Sequence, residues 1–134
     1  MADRVSKGLV LAHIAPGHEN QVLPHLWLTN YQNSGAAFGI APAGAGFFLL
    51  ASVAVAAALV YYVLRSRPSL YLTVVLGLIL GGTLGNGYDR LFHGSVTDFI
   101  AVHFWPIFNV ADSAISVGEV ALLAWYLLRQ RRSG

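Results

Sequence analysis

The chain has 134 residues, of which 56% are hydrophobic and 10% charged, with a formal net charge of +2. A soluble domain of this size carries roughly 25% charged residues, so the composition argues against an ordinary soluble protein and for one membrane-embedded domain. Cysteine is absent, which removes disulfides, thiolate metal sites and a cysteine nucleophile, and the cations flank apolar runs instead of forming a patch for nucleic acid.

Residues 1–7 hold no apolar run of the kind a signal peptide carries. From Gly8 to Ile40 the chain is mixed and punctuated by Gly17, Pro24, Asn33 and Gly35, and Leu26–Tyr31 has the aromatic and β-branched content of a short strand. Trp27 and Tyr31 suit a membrane–water interface, so residues 1–43 are expected to include a small extracytoplasmic β-platform lying on the bilayer. A membrane-crossing helix needs about 20 mostly apolar residues, and segments 44–64, 69–86 and 107–128 meet that requirement. The fold class expected is therefore an α-helical polytopic membrane protein with three transmembrane helices. Arg65 and Arg67 follow the first span, and Arg129, Arg131 and Arg132 follow the third. Cytoplasmic loops are enriched in Lys and Arg, which puts the 65–68 turn, tightened by Pro68, and the C-terminus in the cytoplasm, and 87–106 outside. In the second span Gly77, Gly81 and Gly85 recur at four-residue spacing. Small residues so spaced let helix backbones approach, so this stripe is expected to pack tightly and hold Asn86, Asp89 and Arg90 at one place on the outer rim.

The acids are Asp3, Glu19, Asp89, Asp98, Asp112 and Glu119. An ionisable group at membrane depth is a functional candidate by default. Asp112 is expected roughly 8 Å inside the third span at about 1.5 Å per residue, and Asp98 in the outer loop within apolar Val96–Ile100. Two carboxylates sharing a site do not both ionise cheaply, so one stays protonated. The charged one takes a proton from water and the protonated one donates to a peptide carbonyl, a division of labour that needs no metal and no cofactor. The bland alternative for either acid is an ion pair, for example with Arg90. No H-E-x-x-H zinc motif occurs, and His13, His18, His25, His93 and His103 are scattered. Lys7 is the only lysine. It stands beside Ser6, far along the chain from the acids, which argues against a Ser–Lys dyad. Glu119 lies about 10 Å deeper than Asp112 on the same helix face and is expected to bond a neighbouring helix in a structural role. A small ion-coupled binding or transport subunit is the competing reading. It predicts acids through the depth of the membrane, whereas a peptidase predicts two acids converging at one rim, as Asp98 and Asp112 do.

Five segments together resemble the lipoprotein signal peptidase family, also called signal peptidase II. Asp3-Arg4-Val5-Ser6-Lys7 is similar to the family's D-x-x-S-K. Asn33-Ser34-Gly35-Ala36-Ala37-Phe38 resembles its N-x-G-A-A-F, and Gly85-Asn86-Gly87-Tyr88-Asp89-Arg90 its G-N-x-x-D-R. Asp98-Phe99 resembles V-x-D-F, and Phe108-Asn109-Val110-Ala111-Asp112-Ser113 resembles F-N-x-A-D-S. The resemblance implies catalytic aspartates at Asp98 and Asp112, substrate-holding residues at Asn33, Asn86, Arg90 and Asn109, and structural acids at Asp3 and Asp89. It implies an enzyme of the bacterial cytoplasmic membrane, with its active site at the outer face among membrane lipids; separately, a monomer is expected. Such an enzyme cuts the signal peptide from a prolipoprotein before a lipid-modified cysteine. The family normally has four spans. The natural reading frame is therefore expected to continue upstream of Met1 into about 15–20 further apolar residues, enough to complete a span; a truncated, inactive family member is the other possibility.

Overall fold

In a computed structural model of the chain, residues 1–35 and 44–133 are described. Helix α1 (Ala2–His13) leads into strands β1 (Glu19–Leu23) and β2 (Leu26–Asn33), then α2 (Gly44–Ser66), α3 (Leu70–His93), β3 (Val96–Ala101) and α4 (Val110–Ser133). Among the described residues three helices are long and apolar enough to cross a membrane: α2 with a mean hydropathy of 2.4, α3 with 1.5, and α4 over Val110–Arg131 with 1.4. They fall on the three apolar runs of the sequence. Ala36, Ala37 and Phe38 of the N-x-G-A-A-F segment lie outside the described residues.

Helix α3 does not stop at Asn86, where its apolar run ends. It continues to His93 and closes on Gly94, whose left-handed φ of 73° lets its N–H return to the Arg90 carbonyl at 3.2 Å. The polar last turns survive because Asn86, Gly87 and Asp89 are buried. The stretch between α3 and α4 is likewise more than a loop: β3 pairs antiparallel with β2, which pairs antiparallel with β1, giving a three-stranded sheet of order β1-β2-β3. The register sets Asp98 opposite Tyr31 and Val96 opposite Asn33. Helix α1 packs on the sheet through Val10, and Ile14 just after the helix joins it against Phe99, with Leu28, Ile100 and Val110 around them.

The close helix pair is α3 with α4, and the glycines that permit it are not the stripe expected. Gly77 and Gly81 are exposed, and a Cβ on either would meet nothing within 4 Å. A Cβ on Gly82 would run into the Ala111 carbonyl oxygen and come within 2.7 Å of Ile115, and one on Gly118 would sit 2.6 Å from Ile79. Of the stripe only Gly85 is in close contact, 2.9 Å from the Asp3 carboxylate by the same measure. A strict four-residue repeat drifts around a helix of 3.6 residues per turn. The α4-facing row is instead Val75, Ile79, Gly82 and Asn86, which mixes steps of three and four.

Candidate active site

The site is built on the N-terminus of α4. Asn109 is its N-cap: the side-chain Oδ1 accepts the Asp112 N–H at 2.9 Å, and the Asp112 Oδ2 accepts the Asn109 N–H at 3.1 Å. This reciprocal pair is a capping box written with Asn and Asp. It locks the Asp112 carboxylate against the first turn of the helix, so Asp112 sits at the mouth of α4 and not five residues inside it. Asp3 reaches across from α1 and accepts the Ala111 N–H at 3.0 Å. Ala111 is small because Gly82 and Gly85 of α3 press against it, and the Ser113 hydroxyl bonds back to the Asn109 carbonyl at 3.0 Å.

With its oxygen committed to the helix, the Asn109 amide must point its Nδ2 outward. It donates to Asp98 Oδ1 at 2.7 Å and to Asn86 Oδ1 at 3.1 Å. Asn109 is fully buried. Asp98 is brought to it by strand alternation, because Phe99 turns into the α1 core and leaves Asp98 on the opposite side of β3. From β2, Asn33 donates Nδ2 to Asp98 Oδ2 at 2.9 Å, and its own Oδ1 is held by the Gly35 N–H at 2.8 Å. Asn86 completes the ring by donating to Asp112 Oδ1 at 2.7 Å. Both aspartates therefore hang on one asparagine framework drawn from β2, α3 and the α4 cap. Burial pushes the Asp98 carboxyl above the usual carboxylate range and nearby Asp112 adds to this, while the hydrogen bonds from Asn33 and Asn109 and the charge of Lys7 act the other way.

Behind the framework lies a buried ion cluster. Lys7 Nζ stands 2.9 Å from Asp3 Oδ2 and 2.7 Å from Asp89 Oδ2, and it donates to Asn86 Oδ1 at 3.0 Å. Arg4 closes the cluster at 2.6 Å from Asp89 Oδ1, with its guanidinium 4.0 Å from the Tyr88 ring centre. Arg90 is different. Among the described residues it makes no ion pair with either site aspartate, its Nε is buried without a hydrogen-bond partner, and its guanidinium lies 5.2 Å from the Phe48 ring centre. No cluster of metal-ligand type occurs among the described residues.

A family model described as signal peptidase (SPase) II matches residues 1–129. The chain belongs to the signal peptidase II family. Among its relatives is a lipoprotein signal peptidase of Syntrophomonas wolfei, 45% identical over 97% of this chain and 88% of that one. Another, from Halothermothrix orenii, is 38% identical over all of this chain and 92% of that one. A bacterial membrane enzyme solved by the in meso method superposes with a TM-score of 0.90 at 32% identity, over 99% of this chain and 85% of the other.

Within this signal peptidase II chain, Asn33, Asn86, Asp98, Asn109 and Asp112 converge through direct hydrogen bonds, with Arg90 on the same face of α3 as Asn86. Asp3 and Asp89 stand one layer behind. Glu119 does not join them. It is exposed on α4 and pairs with nothing among the described residues, which corrects the expectation that it bonds a neighbouring helix. It does share the angular position of Asp112, but the groups that surround Asp112 from α1 and α3 have no counterpart at its level. The residue missed by sequence reasoning is Lys7. Its distance along the chain from the acids says nothing about its distance in space, and the signal that marks it is the Asp3–Lys7 spacing of one helical turn. Ser6 is no partner for it, since the Ser6 hydroxyl bonds the carbonyls of Ala2 and Asp3 in its own helix.

Proposed function

We propose that this peptidase is of the aspartic type and removes the signal peptide from lipid-modified prolipoproteins, cutting before the diacylglyceryl-cysteine at the outer face of the bacterial cytoplasmic membrane. The observation that carries the reading is the asparagine bridge: one side chain, Asn109, hydrogen-bonds Asp98 and caps the helix turn that holds Asp112. Asp112 receives N–H donors on both oxygens at a helix N-terminus, a setting that suits a carboxylate. It takes a proton from the attacking water. Asp98, more deeply buried, holds the shared proton and gives it to the oxygen of the scissile carbonyl as the water oxygen bonds to the carbon. Collapse of the tetrahedral intermediate returns that proton to Asp98, and Asp112 protonates the leaving amine.

Asn33, Asn86 and Asn109 spend their amides on the aspartates and so shape the site, leaving Arg90, with an unused buried N–H, to meet a backbone carbonyl or lipid oxygen of the substrate. Acyl chains on the substrate cysteine stay in the outer leaflet at about 0.8 kcal/mol per buried CH₂, which delivers the scissile bond to the sheet end of the bundle. The test is cleavage of a purified prolipoprotein with and without the diacylglyceryl group, with the product N-terminus read by mass spectrometry. A cut immediately before the modified cysteine, and none in the unmodified precursor, is expected. Equal cleavage of both precursors, or a cut elsewhere, contradicts the assignment.

A further inference from the structure

Lys7 is the most deeply buried cation among the described residues, 2% exposed, and the chemistry proposed above makes no use of it. Taking an ammonium out of water is expensive unless its surroundings compensate. Asp3 and Asp89 supply the compensation, and together with Arg4 and Lys7 they make a cluster of zero net charge. The cluster does not end there. Lys7 has three N–H groups and no acceptor, and it is hydrogen-bonded to Asn86 Oδ1 at 3.0 Å. That oxygen also receives the Asn109 amide at 3.1 Å. Two donors converging on one end of the Asn86 amide fix which end is oxygen, so the other end must present its Nδ2 to Asp112 at 2.7 Å. A positive charge is thus connected to Asp112 through a single amide.

We propose that Lys7 is a positioning residue for the aspartate pair: acting through Asn86, it fixes the donor on Asp112 and keeps a buried positive charge behind the site. This rests on the aspartic reading above. The charged and titratable groups facing this region are Asp3 and Arg4 on α1, Asp89, Arg90 and His93 on α3, Tyr31 on β2, Asp98 on β3 and Asp112 on α4. Among the cations of the described residues, Lys7 alone is hydrogen-bonded to an asparagine that touches a site aspartate. It also lowers the proton affinity of Asp98, against the effect of burial. Without it Asp98 holds its proton to higher pH, so the pH at which the pair gives up its working proton rises.

The experiment measures single-turnover cleavage of a lipid-modified prolipoprotein against pH, per folded molecule, for the wild type, Lys7→Met and Lys7→Arg. In Lys7→Met, kcat is expected to fall about ten- to a hundredfold, the range for losing one hydrogen bond to a charged group. KM should change little, and the alkaline limb of the profile should move up by about one unit, the low end for removal of a nearby opposite charge. Lys7→Arg keeps the charge and should hold the limb in place. Because Lys7→Met leaves buried carboxylates short of a cation, the charge-balanced pair Lys7→Met/Asp89→Asn is compared with Asp89→Asn alone. The two differ only at residue 7, and the same fall and the same relative shift are expected. A folded Lys7 variant with wild-type kcat and limb overturns the inference, and so does a fall in rate with the limb unmoved, which is what a purely structural lysine gives. A wild type that does not cleave, or an Asp112→Asn variant that does, brings down the aspartic reading first; failure confined to the Lys7 variants brings down this inference alone.

Discussion

Asn109 performs several tasks with one side chain, and each follows from the same constraint. Its oxygen must satisfy an otherwise unpaired N–H of the first turn of α4, so its NH₂ has only Asp98 and Asn86 to meet. Asn109→Ala is therefore expected to lose about 1 kcal/mol of stability for the missing cap, read by thermal unfolding in detergent, and most of its cleavage as well. An Asn109→Ala protein with an unchanged rate would mean that the bridge plays no part in catalysis. Asn33 tests the opposite side of the pair. Its donor favours the charged form of Asp98, so Asn33→Ala should push that carboxyl further up. The pair then keeps its one working proton to higher pH, and the alkaline limb of kcat should move upward; a downward shift would contradict the assigned role. Much of this was legible beforehand. Both aspartates and all three asparagines stand in recognisable segments, and an acid beside apolar neighbours in a membrane protein draws attention by itself. Lys7 was not legible as a site neighbour, because one buried cation between two acids looks in sequence like any surface helical pair.

Among the elements, the span positions followed from hydropathy, but which faces meet did not. A repeat of glycines is visible in the sequence, whereas the row that meets α4 depends on how α3 is rotated. The structure assigns close packing to Gly82 and Gly118 and leaves Gly77 and Gly81 open. Gly82→Ala and Gly118→Ala should each lower the yield of folded protein, since backbone oxygens of the facing helix stand in the way. Gly77→Ala and Gly81→Ala should be tolerated, with a slight gain from helix propensity. Extraction yield and thermal stability of the four variants check this, and equal losses in all four would refute the helix pairing. The continuation of α3 to His93 was hidden for a related reason: polar Asn86 and Asp89 end an apolar run but are buried, and only tertiary partners reveal that. Strand β3 was hidden because Val96–Ala101 carries a buried acid in its middle.

For the whole molecule, three membrane-capable helices carry a small sheet on α1, and the aspartate pair lies where sheet, α1, α3 and α4 meet. Glu119 stands apart from that junction, roughly 14 Å along α4 from Val110. Its Gln variant should keep nearly the full cleavage rate; a loss comparable to that of an Asp112 variant would favour an ion path through the membrane. The central claim is that Asp98 and Asp112 work as one acid–base unit, and the most direct measurement is single-turnover cleavage of a lipid-modified prolipoprotein, with substrate binding assayed separately. Asp98→Asn and Asp112→Asn should each fold and bind, yet each lose several orders of magnitude in rate, since a general acid–base group contributes about 10²–10⁴-fold and water activation adds to that. The double variant should be little worse than either single one, because residues acting as a unit are not additive. Near-normal cleavage by either single variant, or losses in the double variant that simply multiply, would contradict the account.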